Sequence, residues 1–232
     1  MKRKIWKRIA LAATLLVLLL LVLAAHPVFH LVKTVWNDRN DIVPTPLGKV
    51  NDASRLDETS VAKIWKIPAE EQLAGLLQFA RTNHLKVSIA GARHSMGGHV
   101  IYPGGIVIDM LPFNRMELDG TNLVLHVQAG ARWSEVIPFL NKHGLSVEVM
   151  QSNDDFSIGG SLSVNCHGWQ FNRPPIDCTV LSFRLMLADG TIVKCSRTEN
   201  QELFSLVLGG YGLVRNHSRR GFARHAERKI HN

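Results

Sequence analysis

The sequence predicts an α+β fold, built from β-α-β units and preceded by one membrane-spanning helix. Three observations carry that expectation. The order strand–helix–strand–loop occurs twice, over residues 61–99 and again over 116–168. Each closing loop is rich in glycine and small polar residues and leaves the carboxyl end of a strand, where α/β sheets place their ligands. Ahead of both stands a basic flank followed by a long apolar run.

That run is Ile9 to Ala25, without charge and with a single Thr; His26-Pro-Val-Phe29 extends it to the ~20 residues a helix needs to cross a bilayer. A cleaved signal peptide is the rival reading. Its apolar region is usually only about 7–15 residues and ends in an A-x-A-like site, and Leu23-Ala-Ala25 is a poor one. An uncleaved anchor over 9–29 is therefore favoured. Lys2, Arg3, Lys4, Lys7 and Arg8 precede it, so the positive-inside rule leaves residues 1–8 in the cytoplasm and the domain on the extracytoplasmic side.

The net charge of +8 is unevenly placed. Residues 1–33 hold six cations and no acid, and residues 214–232 carry a net +5, so the middle is mildly acidic at −3. No basic face is interleaved with aromatics, and nucleic acid is excluded as the expected partner. Cys166, Cys178 and Cys195 make no C-x-x-C pair and no zinc spacing. A Cys166–Cys178 bridge stays open if the domain lies outside the cytoplasm; small semi-buried hydrophobes are the plainer reading.

Residues 30–60 read as a polar tether and domain entry, interrupted by Pro44 and Pro46. The domain is expected over 61–213. Val61 to Ile67 alternates as a strand, and Pro68 suits the first helical position. Leu73, Leu76, Leu77 and Ala80 then make one apolar stripe. Lys86 to Ala90 is the returning strand, which opens into Gly91-Ala-Arg-His-Ser-Met-Gly-Gly-His99. Ile106–Asp109 is a short buried strand, and Met116–Gln128 a hairpin turning at Asp119-Gly120. Trp133 to His143 is a second helix, with Gly144 as its stop. Leu145–Met150 is a strand, and the loop Gln151–Gly168 follows.

Clustered backbone N–H groups in a glycine-rich bend can cradle a phosphate. One ligand touching both loops is the economical reading. Neither G-x-G-x-x-G nor G-x-x-x-x-G-K-[ST] is present, so a Rossmann dinucleotide site and a P-loop are unsupported. His94 and His99 lack a third metal ligand at a suitable spacing. Asp154-Asp155 reads more simply as a turn or helix-start pair than as an acid–base pair.

Taken together and in order, Gly91-Ala-Arg-His-Ser95, Asp109-Met-Leu-Pro-Phe-Asn114, Gln128-Ala-Gly-Ala-Arg-Trp133, Ser157-Ile-Gly-Gly-Ser161, Cys166-His-Gly168, Ala188-Asp-Gly190 and Gly209-Gly-Tyr-Gly212 resemble a known domain. It is the two-subdomain, PCMH-type FAD-binding domain of the vanillyl-alcohol oxidase and p-cresol methylhydroxylase superfamily, closest to its alditol oxidase and sugar-lactone oxidase branch. The resemblance implies FAD as cofactor, with Gly91, Ala92, Arg93, His94, Ser95 and Met96 around the diphosphate and His94 as the candidate covalent attachment point. It also implies a second segment from Ser152, Ser157, Gly159, Gly160 and Ser161. Asn165, His167 and Gly168 would lie along the flavin and adenine ribose. Gln151, Ser152 and Asn153 stand where some members carry a second linking cysteine, so at most one covalent link is expected.

Members of that branch oxidise CH–OH groups of small molecules such as polyols or sugar lactones by hydride transfer to FAD. No catalytic acid or base can be named here, because in the branch these come largely from a following substrate domain. The basic tail 214–232 shows few apolar residues and no strand alternation, unlike the family's continuation, as a truncated reading would. A catalytically inactive FAD-binding remnant is the alternative from another class, and a MurB-like reductase a weaker one.

Overall fold

The computed structural model describes residues 2–39, 48–212 and 221–231. The chain divides into two units, Met1–Pro44 and Thr45–Asn232. The described residues of the first form one helix, α1 (Lys2–Arg39), with Pro27 inside it. Its segment Ala13–Lys33 has a mean hydropathy of 2.5 and is long and apolar enough to cross a membrane, without any of that window buried in protein. His26 and His30, one turn apart, bring their rings to 4.5 Å.

The second unit opens with a small antiparallel hairpin, β1 (Lys49–Val50) and β2 (Thr59–Ser60). This corrects the expected tether. The segment 48–60 is polar on average, but Val50 is fully buried with Val61, Ala90 and Val107, so it belongs to the domain. The Pro44/Pro46 stretch lies outside the described residues.

A three-stranded parallel sheet follows, in the order β3 (Lys63–Lys66), β5 (Ile106–Asp109), β4 (Val87–Ala90). The crossover from β3 to β4 is α2 (Glu71–Thr82). It starts after Pro68 rather than on it. Leu73, Leu76 and Ala80 of α2 pack on Ile106 and Ile108, while Val107 faces the opposite side. A central parallel strand covered on both faces reads as a continuous apolar run, which is why Ile-Val-Ile carries no alternation.

The second sheet is antiparallel, in the order β10 (Ile192–Ser196), β9 (Val180–Leu187), β11 (Gly221–His231), β7 (Val124–Gln128), β6 (Met116–Asp119). Helices α3 (Trp133–Asn141), α4 (Ile158–Ser163) and α5 (Gln201–Val207) belong with it. Its core gathers Leu125, Val127, Trp133, Leu140, Ile158, Leu162, Phe183 and Phe204. Arg184 on β9 pairs with Glu70 at 2.8 Å, and Met186 of β9 enters the core of the parallel sheet, so the two subdomains share a boundary.

Several sequence expectations change here. The β6–β7 connection is four residues, not a two-residue Asp-Gly turn: Asp119 pairs with Val124. The Asp119 carboxylate accepts the Thr121 and Asn122 N–H groups, and Leu123 takes the left-handed φ of 52° that closes the loop. The expected strand 145–150 shrinks to β8 (Ser146–Val147), which pairs with β11 and not with β7, so the second unit is not a parallel crossover. Pro138 is the sixth residue of α3.

The tail is the largest correction. Where no strand alternation was read, Gly221–His231 forms β11 between β9 and β7. A vacant place between two strands offers backbone donors and acceptors on both sides, and those select a strand whatever the side-chain pattern. The register breaks twice against β9, which helps to hide the period from the sequence. Arg215, Arg219 and Arg220 lie outside the described residues.

Candidate functional site

The loop after β4 is bent by left-handed residues at Arg93 (φ 59°), Met96 (φ 49°) and Gly98 (φ 68°), separated by residues on the ordinary side. Such alternation turns neighbouring N–H groups toward one concave side. Among the described residues, the backbone N–H groups of Arg93, His94, Ser95 and Met96 donate to no protein acceptor. Arg93, His94 and Ser95 are half-buried and Met96 is exposed, so these four successive donors stand open to an acceptor from outside the chain.

The second loop lies directly against the first. A Cβ built on Gly91 would stand 2.0 Å from Ser157 Oγ and 2.9 Å from Ser157 Cβ, so only glycine allows this approach. The Ala92 N–H points to Ser157 Oγ at 3.5 Å. His94 stacks on Phe156 with ring centroids 4.2 Å apart, and its Nε2 faces Asp155 Oδ2 at 3.4 Å. The other carboxylate oxygen accepts from Arg132 Nη1 at 3.1 Å. Asp155 is half exposed, so this chain of contacts orients His94 more than it stabilises the fold.

Ser157, Ile158 and Gly159 are held from behind by the segment 129–131. The Ile158 N–H donates to Ala131 O and the Gly159 N–H to Ala129 O, both at 2.8 Å. Gly159 lies so close that a Cβ there would stand 2.9 Å from that of Ala129. Ser161 is fully buried: its Oγ accepts from Trp133 Nε1 at 2.9 Å and donates to Gln151 Oε1 at 3.1 Å. Ser152 and Gly160 are exposed.

The third group sits further along. Asn165 (φ 46°) accepts the Asp177 N–H through Oδ1, and Gly209 approaches its Cβ closely enough that a side chain there would crowd it at 3.2 Å. It borders an open cavity with Asp177, Arg197, Gln201 and Phe204. His167 is exposed. Gly168 turns beneath Met150 O, and beside it Gln170 Oε1 is a buried acceptor with no hydrogen-bond partner among the described residues. The structure thus brings Gly91–Ser95 together with Asp155–Gly159, and leaves Asn165, His167 and Gly168 in a separate stretch.

Sequence reasoning missed four contributors: Asp155 as the partner of His94, Phe156, Arg132, and Asp52. Asp52 is 5% exposed and accepts the Gly98 N–H at 2.8 Å, the Ser95 hydroxyl at 3.4 Å, and both the N–H and the hydroxyl of Ser54. Burial pushes its pKa up, but the hydrogen bonds, chiefly those from Ser54 and Gly98, outweigh burial and hold it below the ordinary 3.8. The one signal was the Asn51-Asp-x-Ser54 turn chemistry inside what read as tether. No disulfide joins Cys166, Cys178 and Cys195; burial and then Glu199 push Cys195 to about 11. No group of three His, Cys, Asp or Glu able to hold a metal occurs among the described residues.

Two adjoining loops, one with a run of unpartnered N–H donors, and a histidine at their seam form a concave face whose chemistry suits an anionic group. The chain belongs to the FAD binding domain family, which it matches over residues 64–196, more than half its length. It is 29% identical to mouse L-gulonolactone oxidase over 143 residues (60% of this chain, 32% of that protein). It is 30% identical to the mitochondrial L-galactono-1,4-lactone dehydrogenase of Arabidopsis thaliana over 161 residues (67% and 26%). To rice cytokinin dehydrogenase 3 it is 29% identical over 215 residues (88% and 41%). The chain spans about a third of the length of the curated relatives it matches. FAD is the cofactor, and the donor set fits it: diphosphate oxygens need donors, and the hydroxyls and imide of FAD need acceptors.

Proposed function

We propose that this chain is the FAD-holding part of a membrane-anchored oxidoreductase that oxidises a CH–OH group of a sugar lactone or polyol. FAD, when bound, supplies the two-electron acceptor for the hydride, while the hydroxyl proton leaves to a base. The observation that carries the reading is the run of unpartnered N–H groups from Arg93 to Met96 abutting Ser157 through Gly91. Gly91, Ala92, Arg93, Ser95 and Met96 hold the diphosphate from one side. Ser152, Ser157, Gly159 and Gly160 complete the cradle, with the buried Ser161 bracing it from behind through Trp133 and Gln151, and Asn165, His167 and Gly168 extend it.

His94 is the residue to carry a covalent link. An imidazole nitrogen is a nucleophile only when unprotonated, and Asp155 at Nε2 favours the tautomer with its proton there and a lone pair at Nδ1. The Phe156 stack fixes the ring plane. The names of two kinds of relative support a lactone substrate; the alignment with cytokinin dehydrogenase, which covers most of this chain, favours a second reading in which a cytokinin is the substrate instead.

Helix α1 supplies the anchor, and its basic N-terminal flank favours a cytoplasmic N-terminus with the domain on the far side. The test uses the full chain in detergent. Yellow colour that survives acid precipitation supports the bond, and His94→Ala should release it. Colourless wild-type protein would sink the site. Dye reduction by lactones, polyols or cytokinins then separates the two substrate readings.

A further inference from the structure

We infer that Asp52 is a positioning residue for the cofactor loop, acting through the turn 51–57 as a clasp across residues 93–98. The inference rests on the reading that this loop holds the FAD diphosphate. Four donors converge on one carboxylate: the Ser54 N–H and hydroxyl on Oδ1, the Gly98 N–H and Ser95 hydroxyl on Oδ2. The clasp closes a second time where the Ala53 N–H donates to Arg93 O at 2.8 Å. Asn51 Oδ1 ties the turn to itself by accepting the Asp52 and Asp57 N–H groups. Asp57 packs near Gly98, whose left-handed backbone (φ 68°) favours glycine there.

The chemistry singles out a carboxylate. All four partners are donors, so both oxygens must accept. Asparagine offers one acceptor and turns an NH₂ group against the other pair of donors. Charge-assisted bonds of this kind are about twice as strong as neutral ones. With its charge taken up by these donors, Asp52 fixes Arg93, Met96 and Gly98 in left-handed geometry while the N–H groups of residues 93–96 stay open to an anion. A loop free of this clasp would have to order itself each time the cofactor binds, and that cost falls on affinity.

The experiment compares full-length wild type with Asp52→Asn, Asp52→Ala and Glu58→Gln, the last altering an exposed ion pair on the same hairpin. Flavin-free protein is titrated with FAD, and hydrogen exchange and the amide proton shifts of Gly98 and Ala53 are followed without cofactor. The expected result is a graded loss, with dissociation constants raised about tenfold or more in the alanine variant, less in asparagine, and unchanged in Glu58→Gln. The Gly98 amide should lose its downfield shift and exchange faster in both Asp52 variants, while the β5 amides stay protected. Should Asp52→Ala fail to fold, Asp52→Asn alone decides. Unaltered affinity, or weakened affinity with unaltered Gly98 and Ala53 amides, overturns the positioning role. If wild type binds no FAD, the cofactor reading falls, and the exchange arm still decides whether Asp52 clasps the loop.

Discussion

Gly91→Ala is the sharpest perturbation of the proposed cradle. The added methyl carbon would sit 2.0 Å from Ser157 Oγ and 2.9 Å from Ser157 Cβ. Rotating the serine hydroxyl away relieves the first contact but not the second, because Cβ is fixed to the backbone. Ser157 is 3% exposed and is flanked by Ile158, whose N–H is bonded to Ala131, so the second loop cannot retreat freely. The first loop must move instead. Overpacking of this kind costs about 1–3 kcal/mol, and at 1.4 kcal/mol per tenfold that is a factor of about 5–150. The expected result is FAD affinity weakened within that range, with a small fall in melting temperature of the flavin-free protein. Fluorescence titration and thermal scans of the full chain in detergent measure both. Gly120→Ala, at a glycine with no atom within 4 Å and no left-handed φ, is the control and should leave FAD affinity unchanged. Wild-type affinity and wild-type stability in Gly91→Ala would refute the claim that the two loops touch.

Other outcomes follow from single features. Gly75→Ala, on the exposed side of α2 with nothing near its added carbon, should stabilise the domain by about 0.5–1 kcal/mol in denaturant titration. Ser161→Ala removes the acceptor of the buried Trp133 indole N–H, and should cost about 1–3 kcal/mol in the same assay. Native protein treated with a thiol reagent at pH 8 should lose one thiol quickly, Cys178, while buried Cys166 and Cys195 react only on unfolding; Cys195 is held protonated at this pH. Because the folded protein lowers the Asp52 pKa, its contribution to stability is complete above the ordinary 3.8 and is lost as pH falls below it. The stability gap between wild type and Asp52→Asn should therefore shrink on acidification, and a gap independent of pH would contradict an ionised clasp.

What was legible in the sequence shared one property: the signal was local. The α2 stripe, the returning strand β4 and the short buried β5 each declare themselves within a dozen residues, and all three stand where expected. What was not legible depends on distant partners. Asp52 looks like any tether aspartate until Gly98, forty-six residues on, is brought to it. Asp155 looks like a turn residue, and is one, its N–H bonded to Asn153 Oδ1; facing His94 is a second role that tertiary structure adds. β11 is the extreme case, since a central antiparallel strand is chosen by two neighbours already in place, and its own composition argued for a tail. The α4 turn at 158–163 was hidden for another reason: two adjacent glycines lower helix propensity, and only the anchoring of its first residues by Ala129 and Ala131 makes up for it.

That anchoring explains why the two loops form one site and not two. The segment Gln128–Arg132 is held on both sides. Gly130 donates to Phe113 O at 2.8 Å, and a Cβ on it would stand 1.7 Å from Met110 O, so it is pressed against the chain leaving the parallel sheet. Its neighbours Ala129 and Ala131 accept from Gly159 and Ile158 of the second loop. Met110 in turn donates to Ala90 O, the last residue before the first loop. A continuous set of backbone contacts therefore runs from Ala90 through Met110 and Gly130 to Ile158. Backbone contacts cannot repack as side chains do, so the spacing between Gly91 and Ser157 is set by three glycines and two alanines, not by His94 or any charged group. The chemistry at the seam is mounted on that spacing. Changing His94 alters what the site can bond; changing Gly130 alters whether there is a seam.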